Sequence, residues 1–93
     1  LVKRKLKIKQ ILKQTFNLKF CKIEDVSESH RGHAGFIEGK ETHLSIFAVS
    51  DDFTNLTRVD RQRVLNNLIA NEFKKDLHAV TYTLLTTEEF KNN

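Results

Sequence analysis

One cysteine, no proline, no methionine, no tryptophan and only three glycines occur in 93 residues. A single thiol excludes an internal disulfide and any metal site built wholly of cysteines. It also suits a reducing compartment, so a cytoplasmic location is expected. No apolar run approaches the roughly 20 residues that span a bilayer, and no membrane role is expected. No apolar stretch of the secretory type follows the basic start. The chain is too short for a TIM barrel, a two-domain enzyme or a full dinucleotide fold. What is present, 39% hydrophobic and 30% charged residues, suffices for one packed domain over residues 1–93.

Acids are missing from residues 1–22, which carry eight Lys or Arg and hence +8. Residues 23–93 hold the other eight bases and all twelve acids, a balance of −4. The basic stretch, with residues 1–7 as an N-terminal arm, suits nucleic acid, an anionic surface or an acidic partner. The plainer reading is the solvated face of a first helix.

Ile8, Ile11, Leu12 and Phe16 recur at helical spacing with Lys and Gln between them, which predicts an amphipathic helix over 5–16, free of Gly and Pro. A strand follows over 19–26. A second, over 42–49, places Leu44, Ile46 and Ala48 on one face and Ser45, Phe47 and Val49 on the other. Two largely apolar faces mark a central strand. Ser50-Asp51-Asp52 is a turn, and Phe53 and Leu56 tuck a short helical turn beneath the domain. Thr57-Arg58-Val59-Asp60 reads as a capping box. The helix it opens carries Val64, Leu65, Leu68, Ile69 and Phe73 on one face and is expected to end near Lys74-Lys75. A third strand covers 78–85, and Thr86 to Glu89 caps a short last helix.

All three glycines, Gly32, Gly35 and Gly39, lie in the loop over residues 27–41, together with His30 and His33. Hairpins usually need only two to five linking residues. The loop combines three glycines with no proline and few apolar residues. Its ordering cost is therefore high, and it is expected to be mobile alone and ordered on binding. The first two strands form an antiparallel hairpin. A helix joins the second to the third, which implies a right-handed crossover and parallel pairing. The starts of strands two and three then share one end with the loop. His33, His43 and His78 thus reach one edge from three segments. Imidazole is the side chain suited to a borderline metal or a proton near neutral pH.

No HExxH, CxxC, EF-hand loop, GxSxG, Walker loop or GxGxxG occurs, and no pair of acids is spaced for acid–base work. Cys21 sits in a strand and reads as a small apolar residue. These absences argue against a self-contained enzyme and for a domain that shares a ligand with another molecule.

Several segments then fall into a known pattern. Glu28-Ser29-His30, Gly32-His33-Ala34-Gly35, Glu41-Thr42-His43-Leu44 and Val49-Ser50-Asp51-Asp52-Phe53 together resemble the BolA-like family. So do Arg61-Gln62-Arg63-Val64-Leu65-Asn66 and Leu77-His78-Ala79-Val80, over residues 8–90 in all. Gln62 stands where the family pattern has a histidine, and Thr87 and Phe90 where it has proline and tryptophan. The loop is about one residue longer than in many relatives.

The resemblance implies a single αββαβα domain of class II KH-like type, an α+β fold with a three-stranded mixed sheet packed on helices. It also implies partnership with a monothiol glutaredoxin and a [2Fe–2S] cluster shared with that partner and glutathione, none being expected in the isolated chain. By position the protein ligands would be His78 and His33, with His30 in reserve because of the loop length. Histidine in place of cysteine on one iron raises a cluster's potential, as in Rieske centres. The alternative function is a DNA-binding transcriptional regulator. Arg58, Arg61, Arg63, Lys74 and Lys75 would then face outward as a partner or nucleic-acid surface, with Lys3, Arg4, Lys5, Lys7 and Lys9 contacting phosphate. Alone, the chain is expected to be a monomer or weak homodimer.

Overall fold

The computed structural model describes residues 3–92. Helix α1 spans Arg4–Thr15 and buries Ile8 and Leu12. Residues 4–7 are therefore the first turn of a helix and not an arm, and residues 1 and 2 lie outside the described residues. Strand β1 covers Phe20–Asp25, and β2 covers His43–Val49. Helix α2 spans Arg58–Leu68, α3 spans Ala70–Phe73, β3 covers Ala79–Leu85 and α4 covers Thr87–Lys91.

The sheet runs in the order β1-β2-β3. β1 and β2 are antiparallel, with Ile23 opposite Ile46, and β2 and β3 are parallel, with His43 opposite Ala79. The central strand is thus β2, as its two apolar faces predict. Leu44, Ile46 and Ala48 are buried with Ile8, Leu12, Phe53, Leu65 and Ile69 in one core. On the other face Phe47 meets Phe20 and Phe90 edge-on, at ring separations of 5.6 and 5.8 Å. Phe90 also stacks on Phe20 at 5.9 Å, so α4 is pinned by an aromatic contact beneath the sheet.

Two helix starts follow the expected caps. Thr86 and Glu89 form a reciprocal capping box. At Thr57 only half of the box forms: the Asp60 N–H donates to the Thr57 hydroxyl, while the Asp60 carboxylate takes Arg63. The short helical turn beneath the domain is a 3-10 turn over Asp51–Phe53 with Phe53 fully buried.

Two further expectations fail. The helix opened at Thr57 does not continue to Lys74-Lys75. It breaks at Ile69, whose backbone leaves the helical region at φ −107° and ψ 21°. The side chain of Ile69 is drawn into the core there, and the new direction of α3 lets Glu72 meet Arg4 at 2.8 Å. Tertiary burial outweighs the modest local preference for one continuous helix. The second correction is Arg61, which does not lie on an outward surface. It is 4% exposed and donates to the carbonyls of Leu56 and Leu84 and to the Glu89 carboxylate. At the first turn of α2 its side chain reaches over the end of β3. A guanidinium is stable in that position because its fork of donors is filled. Arg58, Arg63, Lys74 and Lys75 are exposed, as expected.

Candidate functional site

The edge at which β2 and β3 begin is built around one peptide group. The carbonyl of Thr42 accepts the N–H of both His78 and Ala79, at 2.8 and 3.2 Å. The parallel register sets His43 opposite Ala79, one residue past His78, which brings the two histidines within ring contact. The loop of residues 27–41 enters the same end through a 3-10 turn over Ser27–His30. Its two ends are fastened by Ser27, whose buried hydroxyl accepts the N–H of Thr42 at 2.9 Å and of His43 at 3.1 Å. Val26 completes the closure by donating to the His43 carbonyl. Farther out the loop turns on bonds from His33 N–H to the His30 carbonyl and from Phe36 N–H to the His33 carbonyl.

All four histidines of the chain meet here. His78 and His43 have ring centres 5.3 Å apart, His43 stacks nearly parallel on His30 at 4.2 Å, and His30 meets His33 edge-on at 5.4 Å. The rings form a chain that ends in exposed imidazoles at His33 and His78. The two inner rings are tethered. His30 Nδ1 is 3.0 Å from the Val26 carbonyl, and His43 Nδ1 is 2.8 Å from the Thr42 hydroxyl. His43 is buried, and its affinity for a proton is lowered first by desolvation and then by the neighbouring imidazoles. Neutral imidazoles are the form that binds metal.

The sequence thus brings together the residues expected at this edge, His33, His43 and His78, with His30 among them. Sequence reading did not assign two contributions. Ser27 closes the loop base, and Gly35 lies directly against His78. The long separation between Ser27 and Thr42 hides the first, and only three-dimensional proximity reveals the second. Among the described residues, no group of three or more His, Cys, Asp or Glu is arranged to hold a metal ion by itself. Imidazole nitrogens are suitable donors for a borderline metal. Cys21 is half-buried in β1, apart from this edge, and burial pushes its thiol up despite Lys9 and Lys13.

The cations come from different elements. Arg58 and Arg63 project from α2, while Lys74 and Lys75 follow α3, where Lys75 reaches Glu72 at 3.6 Å. Of the basic N-terminal residues, Arg4 and Lys7 are committed to Glu72, and Arg4 also binds Asp76 and the Glu41 carbonyl.

The BolA-like protein family matches this chain over residues 12–89. The DNA-binding transcriptional regulator BolA of Haemophilus influenzae is 34% identical over 84 residues, covering 90% of this chain and 78% of that protein. SufE-like protein 1 of Arabidopsis thaliana is 33% identical over 91 residues, but the chain spans only 24% of its length. Among solved structures, the BolA domain of SufE1 from Arabidopsis thaliana superposes with a TM-score of 0.83 at 30% identity. That match covers 96% of this chain and 98% of the other. BolA1 from the same plant gives 0.83 at 31% identity, covering 96% and 97%.

Proposed function

Because the chain belongs to the BolA-like family, we propose that it is a non-enzymatic iron–sulfur adaptor that pairs with a monothiol glutaredoxin. In this reading the two proteins and glutathione share a [2Fe–2S] cluster for cluster transfer or for sensing iron and redox state. The observation that carries it is the convergence of imidazoles from the loop, β2 and β3 on one edge. His78 and His33 are the ligands by the family resemblance, and both are exposed and so open to a partner. His30 is the reserve, already spent in part on the Val26 carbonyl. When bound, the cluster supplies one-electron chemistry and a labile metal–imidazole bond. The chain's own residues hold the imidazoles in place: Thr42 anchors the His78 backbone and packs its hydroxyl on His43, and Ser27 fixes the loop base.

The test is an absorbance and circular-dichroism titration of the chain with a monothiol glutaredoxin, glutathione and reconstituted cluster. Replacing His78 with Ala should abolish or radically alter the visible spectrum while the fold persists. His33→Ala should weaken the bridged cluster more than His30→Ala. A spectrum indifferent to His78→Ala overturns the assignment.

A second reading, DNA binding, is favoured by the exposed Arg58 and Arg63 on α2 and by the name borne by the Haemophilus relative. It requires duplex binding that weakens steeply with salt and is diminished by charge reversal at both arginines.

A further inference from the structure

Gly32, Gly35 and Gly39 all have positive φ, at +85°, +81° and +78°. Beside Gly32 and Gly39 the space that a Cβ would take is open. Beside Gly35 it is filled by His78. A Cβ there would stand 2.1 Å from Cγ, 2.3 Å from Nδ1 and 2.7 Å from Cβ of that histidine. Such distances are far too short for a non-bonded contact, so the loop can lie where it does only with a bare backbone at this position.

We propose that Gly35 is a positioning residue, which seats the loop on the root of the His78 side chain and leaves Nε2 as the nitrogen that meets a ligand. The three His78 atoms nearest the missing Cβ are Cβ, Cγ and Nδ1, and Nε2 is on the far side of the ring. His43 bears on the same imidazole at 5.3 Å, and the His78 N–H is bound to Thr42. The ring of an otherwise exposed residue is thereby held between loop backbone and a neighbouring imidazole. Against the expectation that the loop orders only on binding, this removes rotamers before any ligand arrives, the general advantage of preorganisation. The choice of nitrogen rests on His78 being a ligand; the seat itself does not.

The seat is tested in the isolated protein by nuclear magnetic resonance. Wild-type chain should show nuclear Overhauser contacts between the Gly35 α-protons and His78, and their absence overturns the proposal. Gly35→Asn tolerates positive φ but adds the Cβ, and Gly32→Asn is the control for backbone strain. The His78 ring resonances should shift or broaden in the first variant and hold still in the second. Equal responses overturn the proposal. In the complex with glutaredoxin and glutathione, after one-electron reduction of the cluster with dithionite, histidine labelled with 15N at either ring position reports the ligating nitrogen through its hyperfine coupling. Coupling at Nε2 of His78 is expected, and coupling at Nδ1 overturns the choice of nitrogen. Absence of any His78 coupling overturns the ligand assignment instead, and the Overhauser measurement still decides the seat.

Discussion

Replacing Arg61 with alanine is expected to cost more than any change at the exposed arginines. The guanidinium donates at 3.0 Å to the Leu56 carbonyl, at 2.9 Å to the Leu84 carbonyl and at 2.7 Å to Glu89. Truncation leaves a carbonyl on a buried residue without its donor and leaves the Glu89 carboxylate only the more distant Arg58, at 3.7 Å. Removing one partner of a buried pair costs about 3–5 kcal/mol. Glu89 is about one-third exposed and can turn to water, so the lower end, about 3 kcal/mol, applies. In a domain of this size that is a fall in Tm of roughly 10–25 °C. Arg61→Lys should recover little, because one ammonium cannot span two carbonyls and a carboxylate. Glu89→Gln retains an acceptor for the Thr86 N–H and should cost about 1 kcal/mol. The pair also sets acid behaviour. The Arg61 guanidinium, helped by the Thr86 N–H, holds the Glu89 carboxyl at about 2, against 4.5 ordinarily. The folded state therefore binds this proton less readily than the unfolded state. The stability it contributes is complete above pH 4.5 and is lost as pH falls toward 2. Urea titrations across this window should show a shallower acid limb in Arg61→Ala than in the parent. A loss below about 1 kcal/mol, or parallel acid limbs, would refute the reasoning.

Two further changes probe the scaffold of the histidine edge. Ser27→Ala removes the acceptor for the His43 N–H and should cost about 1–3 kcal/mol, with faster amide exchange at His43. Unchanged exchange there would show that the loop base is held by other means. Arg4→Ala frees Glu72, Asp76 and the Glu41 carbonyl at once, for a loss of about 2 kcal/mol, between the values for exposed and buried pairs. Because Arg4 holds the Asp76 carboxyl below the usual range, that loss should shrink as acid protonates the carboxylate. A difference that persists at low pH would assign the effect to lost packing instead.

Much of this protein follows from local patterns. The 3.6-residue recurrence of Ile8, Ile11 and Leu12 gives α1, and the two apolar faces of residues 43–49 identify the central strand. The handedness of a helical crossover then brings the starts of β2 and β3 to one end, so the meeting of His33, His43 and His78 is legible in the sequence. These inferences succeed because periodicity and chain connectivity are properties of the sequence itself. Other features depend on which groups lie close across long separations. The burial of Arg61 has no local signal, because an arginine in the first turn of an amphipathic helix ordinarily points to water. Here the carbonyl of Leu84 and the carboxylate of Glu89, more than twenty residues away, draw it inward. The break at Ile69 arises likewise from competition between helix continuity and burial in the core. The contact of Gly35 with His78, 43 positions apart, has no trace in any local pattern. A glycine's freedom is visible in a sequence, but the atoms that occupy the space of its missing side chain are set only when the chain closes on itself.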